Sequence, residues 1–251
     1  MTTNDFMGYK AIEGIDSTNY VELPRVLFSG LTASSKTAYS KKFALETERP
    51  WFDATSELQN LANVHVSNEE LWVSGSAETV QIARQGDQLD KLLDSILLER
   101  IEQTPEAVVD AWAMPWLWMG NAVRVFVTAD KDTRINRCIE SSLLIERFSK
   151  DEAESLITQK DNFTRRLFYR LYGFDLFKDH ENFDLIIDTS GFIPNVGNVN
   201  GSEILKKKLA PAIGSAILLA SGQIRPEDAH DNLLQSVEQG IIKFNKSKVT
   251  I

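Results

Sequence analysis

The residues best suited to chemistry lie early in the chain. Gly30, four intervening residues and then Ser35-Lys36-Thr37 follow a short apolar run, Pro24-Arg-Val-Leu-Phe-Ser, and open a helical pattern that reaches about Glu48. That spacing belongs to a phosphate-binding loop, which asks for Gly, four residues, Gly, Lys and then Ser or Thr. Gly30, Lys36 and Thr37 satisfy it, and Ser35 stands where the second glycine belongs. Inward-facing backbone amides through Thr32, Ala33, Ser34 and Ser35, backed by a helix N-terminus, suit phosphate oxygens. The Lys36 ammonium would reach β- and γ-phosphates, and the Thr37 hydroxyl would ligate Mg²⁺. Serine at 35 carries a conformational cost of about 1 kcal/mol where the local φ is positive. The bland alternative is a Ser/Thr-rich turn with Lys36 on the surface.

Asp110 weighs against that alternative. It closes a second short apolar run, Pro105-Glu-Ala-Val-Val-Asp110, where an acidic group can hold Mg²⁺ through water. Positive charge recurs downstream. Arg134 and Arg137 lie three residues apart on one helical face, and Lys160, Arg165, Arg166 and Arg170 share a later helix, with Arg147 and Lys150 upstream. Arginine forks suit phosphate oxygens and transition-state charge. The competing reading is a solvated face paired with Glu152, Glu154 and Asp161.

These side chains need elements to hold them. Short apolar runs ending near Gly30, Asp110, Val127 and Asp188 read as buried parallel strands. Helical patterns fill 36–48, 87–102, 131–148 and 150–171; the stretch 51–61 is mixed, and 66–82 stays ambiguous between strand and helix. Alternation of this kind implies a parallel sheet with helices on both faces. We divide the chain into an N-terminal arm (1–23), a core (24–195) and a C-terminal helical extension (196–251). The extension begins with a turn-rich connection through Pro194 and Gly201. It continues in helical patterns over about 203–221, kinked or split at Pro211, and 226–245. Packing or self-association into a homo-oligomer is expected from it, not chemistry.

Composition narrows the classes. The 251 residues are 43% hydrophobic and 25% charged, which excludes intrinsic disorder, and a single cysteine, Cys138, excludes a disulfide scaffold. No apolar run is long enough to span a membrane and no secretory signal is visible, so a cytoplasmic setting is expected. The net charge of −9 argues against nucleic acid as the main partner and requires any phosphate site to gather its cations locally. His65, His180 and His230 lie far apart without ligand spacing.

The stretch Asp161-Asn-Phe-Thr-Arg-Arg-Leu-Phe-Tyr-Arg-Leu-Tyr-Gly-Phe-Asp175, followed by Phe183-Asp-Leu-Ile-Ile-Asp-Thr-Ser190, resembles the C-terminal half of cytidylate-kinase-like P-loop proteins. Those carry a basic lid helix, a Tyr-Gly-hydrophobic-Asp step and then a strand of this pattern. Val125–Asp130 with Arg134 and Arg137 is similar to that family's strand and arginine helix, and the resemblance covers roughly 24–192. It implies an α/β, three-layer P-loop kinase fold with a parallel sheet, a helical lid and here a C-terminal helical appendage. It also implies ATP-dependent phosphoryl transfer with Mg²⁺ to a small-molecule acceptor. Lys36 would hold the donor phosphates, and Thr37 and Asp110 would serve the metal. Arg134 and Arg137 would lie by the donor nucleotide, and Arg165, Arg166 and Arg170 would close over the transferring group. Trp51, Asp53, Thr55, Arg100, Trp112 and Lys160 are the acceptor-side candidates.

The departures are informative. Ala111-Trp112-Ala113 replaces the Gly-Arg-Asp that follows the corresponding strand in bacterial cytidylate kinases, and Lys160, Thr164 and Leu167 replace an Arg, an Asp and an Arg of the lid helix. The expected acceptor is therefore something other than ordinary CMP, bound beside a cluster of Trp112, Met114, Pro115, Trp116 and Trp118. A catalytically impaired nucleotide-binding protein with a regulatory or assembly role is the alternative.

Overall fold

The computed structural model describes residues 24–61, 87–142, 148–190, 209–229 and 231–245. The N-terminal arm, the ambiguous stretch 66–82, Arg147, His65, His230 and the turn-rich connection after Gly191 lie outside them.

Strand β1 (Arg25–Gly30) is followed by α1 (Lys36–Glu46), β2 (Trp51–Asp53), α2 (Ala54–Leu61) and α3 (Gln88–Gln103). Then come β3 (Val108–Asp110), α4 (Met114–Leu117), β4 (Ala122–Thr128), α5 (Lys131–Ser142), α6 (Lys150–Tyr172) and β5 (Leu185–Asp188). The chain continues through α7 (Ala210–Ala220), a 3₁₀ turn (Pro226–Asp228), α8 (Asp231–Glu238) and β6 (Ile242–Phe244). One six-stranded sheet runs in the order β2-β3-β1-β4-β5-β6. All neighbours are parallel except β6, which pairs antiparallel with β5.

Strand periodicity builds the layers. Successive side chains point to opposite faces, so Val26 and Phe28 join one apolar cluster with Tyr39 and Phe43 of α1 and with α7, while Leu27 joins another with α3, α4 and α6. Val123, Val125 and Val127 of β4 face the first layer and Phe126 the second. Three layers result, and each fully buried aliphatic such as Leu97 or Ile101 contributes about 1.5–3 kcal/mol.

The C-terminal pattern needs correction. The helix expected over 226–245 ends at Glu238, and Ile242–Phe244 forms a sheet-edge strand instead. Gly240, at a φ of 70°, makes the turn between them. Pro211 occupies the first turn of α7, where its missing N–H costs nothing, and the stretch 203–208 expected to precede it in a helix lies outside the described residues. Every residue from Ala210 to Leu219 is buried, so α7 is spent on its own chain's core. On α3 the inward face includes two carboxylates. Leu92 is exposed, and Asp90, Leu93, Asp94, Leu97 and Ile101 point inward.

Adjacent β1 and β3 send their chains to opposite faces of the sheet, β1 into α1 and β3 into α4. Such a switch point opens a crevice at the strands' carboxyl ends, the place where α/β sheets bind ligands. Gly30 and Asp110 end the two strands that flank it.

Candidate functional site

A cleft of about 260 Å³ opens at that crevice. Its floor is the loop Leu31–Thr37 with Asp110–Ala113, and its walls come from α2, α3 and α6. The Lys36 ammonium forms an ion pair with Asp110, whose carboxylate is 2% exposed. Burial pulls Lys36 from the ordinary lysine value to about 7, and the Asp53 carboxylate opposes that shift. The start of α1 leaves the amides of Lys36, Thr37 and Ala38 without intrahelical acceptors, by helix geometry. The exposed Thr37 lines the same cleft.

The loop's shape is set from behind. Arg137 donates to the Ala33 carbonyl (3.2 Å), the Thr189 hydroxyl (2.9 Å) and the Thr189 carbonyl (2.8 Å). The Thr189 hydroxyl in turn lies 3.1 Å from the Ser34 carbonyl. Arg134 donates to the Thr32 carbonyl (3.3 Å) and grips Asp161 through two bonds of 3.0 and 2.8 Å. Both arginines thus hold carbonyls outward, and neither lines the cleft.

Ser35 has a φ of 70° and Ala33 one of 59°. The first is the left-handed position that a glycine would take without strain, so the conditional cost foreseen for Ser35 is present. Ser35→Gly should stabilise the protein by about 1 kcal/mol, read as a rise in melting temperature of about 2–4 °C. An unchanged or lower melting temperature would contradict the strain.

The lid arginines lie elsewhere. Arg165 binds Asp175 (2.8 Å) and Arg170 binds Asp87 (3.1 Å), while Arg166 is exposed. Helical periodicity is the cause: at 100° per residue, 166 and 170 fall opposite the face that carries Lys160, Thr164 and Phe168. Those three do line the cleft. The lid helix itself is well specified, with Ser149 and Glu152 forming a reciprocal capping box and Gly173 ending it at a φ of 78°.

Among the acceptor candidates, Thr55, Trp112 and Lys160 line the cleft, and Asp53, Arg100 and Trp51 do not. Asp53 accepts from the Ser56 amide (2.8 Å) at the head of α2. Arg100 donates to Glu57 (2.7 Å) and sits over the Phe52 ring, because its place on α3 faces α2 and not the crevice. Trp51 donates to Ser40 (3.2 Å). Of the tryptophan cluster, Trp112 reaches the cleft edge-on to Phe168. Trp116 stacks on Phe174 at 4.2 Å and Trp118 lies under Arg25, so both are packing groups. Cys138 packs with Ile135, Ala153 and Ile157, and burial raises its pKa. His180 lies against Phe126 and Phe183, and the described residues hold no cluster of metal-ligating groups.

Asp90 and Asp94 of α3, both buried, line the cleft unforeseen. Two acidic residues spaced i,i+4 within an apolar helical stripe were the available signal. Tyr172 donates to Asp94 at 2.6 Å; burial and this bond raise the pKa of its hydroxyl.

The family model described as the cytidylate kinase-like family matches residues 47–191, a span that begins after the phosphate loop. A cytidylate kinase from Desulfurococcus amylolyticus is 29% identical over 167 residues, 66% of this chain and 83% of that protein. A cytidylate kinase from Pyrobaculum arsenaticum is 25% identical over 166 residues, again 66% and 83%. A shikimate kinase structure from Bacteroides thetaiotaomicron superposes with a TM-score of 0.40 at 16% identity, over 59% of this chain and 82% of that one. The family model spans more than half of the chain, and this protein belongs to the cytidylate kinase-like family.

Proposed function

We propose that the protein is an ATP-dependent phosphotransferase acting on a small-molecule acceptor other than ordinary CMP. The observation that carries this reading is the convergence of the loop amides, Lys36 and Asp110 at the floor of a cleft walled by α2, α3 and α6. Lys36 and the N-terminal amides of α1 suit donor phosphates. Thr37 and Asp110 supply the hard oxygen donors that Mg²⁺ prefers, and when bound that ion neutralises phosphate charge. No covalent intermediate on the chain is needed, since in-line transfer depends on positioning and electrostatics.

Purified protein, ATP with Mg²⁺ and a panel of metabolites test the reading. Acceptor-dependent ADP release is expected; its absence for every acceptor, alongside measurable ATP binding, favours the catalytically impaired alternative. The strained Ser35 is the observation on that side.

The depressed Lys36 pKa sets a further expectation. Phosphate oxygens raise it again, so nucleotide binding above pH 7 takes up a proton. At pH 8 the uptake should approach about one proton per ATP, and affinity should fall by up to about tenfold per pH unit above 7. Calorimetric titration in buffers of different ionisation heat reads this directly; zero uptake would count against it. The folding contribution runs the other way. The unfolded chain binds more protons between about 7 and 10.5, so this group favours folding increasingly as pH rises through that window.

A further inference from the structure

The wall of the cleft formed by α3 and α6 is built for hydrogen-bond donors. Asp90 and Asp94 line it, 2% and 7% exposed, and an ionised carboxylate only accepts. Thr164, on the facing helix α6, is 2% exposed with its hydroxyl oxygen buried and without a hydrogen-bond partner. A desolvated hydroxyl left unpaired is costly, and a polar ligand group at this wall removes that cost. Trp112 and Phe168 add flat apolar surface. Among the described residues the charge count at this wall is two carboxylates against one ammonium, that of Lys160. Arg134, Arg165 and Arg170 are bound to Asp161, Asp175 and Asp87 away from the cleft. A phosphate monoester dianion at this wall meets like charge.

We infer that the acceptor is an unphosphorylated, hydroxyl-bearing compound that presents hydrogen-bond donors to Asp90 and Asp94, the chemistry shared by nucleosides and amino sugars. This rests on the phosphotransferase reading above. In the transfer, an acceptor hydroxyl oxygen bonds to the γ-phosphorus as the bond from that phosphorus to the β,γ-bridging oxygen breaks. ADP departs, and the hydroxyl proton is released to solvent.

Equilibrium binding keeps the two ideas apart. Calorimetry or tryptophan fluorescence is followed with cytidine, adenosine, glucosamine and the monophosphate of each, without ATP. At least one unphosphorylated compound should bind ten times or more tighter than its monophosphate; nucleosides against glucosamine distinguish the two sources. Asp90→Asn should weaken that binding by about tenfold and Thr164→Val by about fivefold. Thr164→Val removes only an unpartnered hydroxyl, so its melting temperature should be unchanged or raised, and weaker binding in it reports lost recognition. Tighter binding of the monophosphates, indifference to both substitutions, or no binding by any compound would overturn the inference. The phosphotransferase reading falls separately, only if no acceptor of either kind promotes ADP release.

Discussion

Lys36→Met should abolish most turnover and also destabilise the fold, for two separable reasons. Removing a preorganised cation from developing phosphate charge costs about 10²–10³-fold in kcat. Below about pH 7, where Lys36 carries its charge, removing the partner of a carboxylate that is 2% exposed leaves Asp110 as an uncompensated buried charge, at a cost of about 3–5 kcal/mol. A second substitution tells the effects apart. In Lys36→Met/Asp110→Asn the orphaned charge is gone, so chemical denaturation should recover most of the lost stability while ADP release stays low. Were activity in Lys36→Met to remain within tenfold of the parent, the assigned role of the lysine would be wrong. If the double substitution were no more stable than the single one, the ion pair would not be the source of the loss.

Gly30→Ala should be the most damaging small substitution in the loop. Gly30 is absent from the positive-φ positions, so its glycine is not needed for a left-handed turn. It is needed for space. A Cβ there would lie 3.0 Å from the Val127 carbonyl carbon and closer still to its oxygen, both backbone atoms of the neighbouring strand. That carbonyl also accepts from the Leu31 amide at 3.1 Å, the bond that launches the loop. Forcing β1 from β4 should cost about 2–4 kcal/mol, or about 5–15 °C in melting temperature for a chain of this size. Nucleotide affinity should fall with it, because the loop hangs from the displaced bond. A melting temperature within about 2 °C of the parent would show that the strands yield freely.

Gly30 and Ser35 make a pair in which spacing and structure speak differently. The pattern located both positions, yet it treats the two glycines alike. Only the folded backbone shows that one is required by a neighbouring carbonyl and the other by a positive φ.

Much of the framework was legible. The apolar runs ending near Gly30, Asp110, Val127 and Asp188 became β1, β3, β4 and β5, because a strand buried on both faces must be apolar throughout. The short β2 was not separable from α2, since Trp51–Asp53 has too few residues to show a period. β6 was hidden for the same reason, its residues Ile242–Phe244 continuing the apparent helical pattern.

The candidate site divides along a similar line. Lys36, Thr37 and Asp110 lie on one contiguous loop or at a strand end, so local spacing identified them and the parallel pairing of β1 with β3 brought them together. The arginines were visible as charge, but charge alone does not fix direction. Arg170 has a carboxylate partner far off in sequence, at Asp87, while Arg165 pairs with Asp175 just beyond the end of its own helix and Arg134 turns to Asp161. The facing of α6 was within reach, since 160, 164 and 168 repeat every four residues while 166 and 170 fall on the other side.

By itself, then, the sequence determined the alternation of strand and helix, the phosphate loop and the family pattern of the lid helix and last parallel strand. These are short-range properties, set by periodicity and by residue types at fixed spacing. The tertiary structure alone decided the acceptor wall. Asp90, Asp94, Trp112 and Thr164 come from three separate segments and meet only because α3 and α6 close over the carboxyl ends of β1 and β3. It also decided that most of the abundant arginine charge faces carboxylates and carbonyls within the fold. Which partner a long, flexible side chain finds depends on packing between distant elements, a property that no window of neighbouring residues contains.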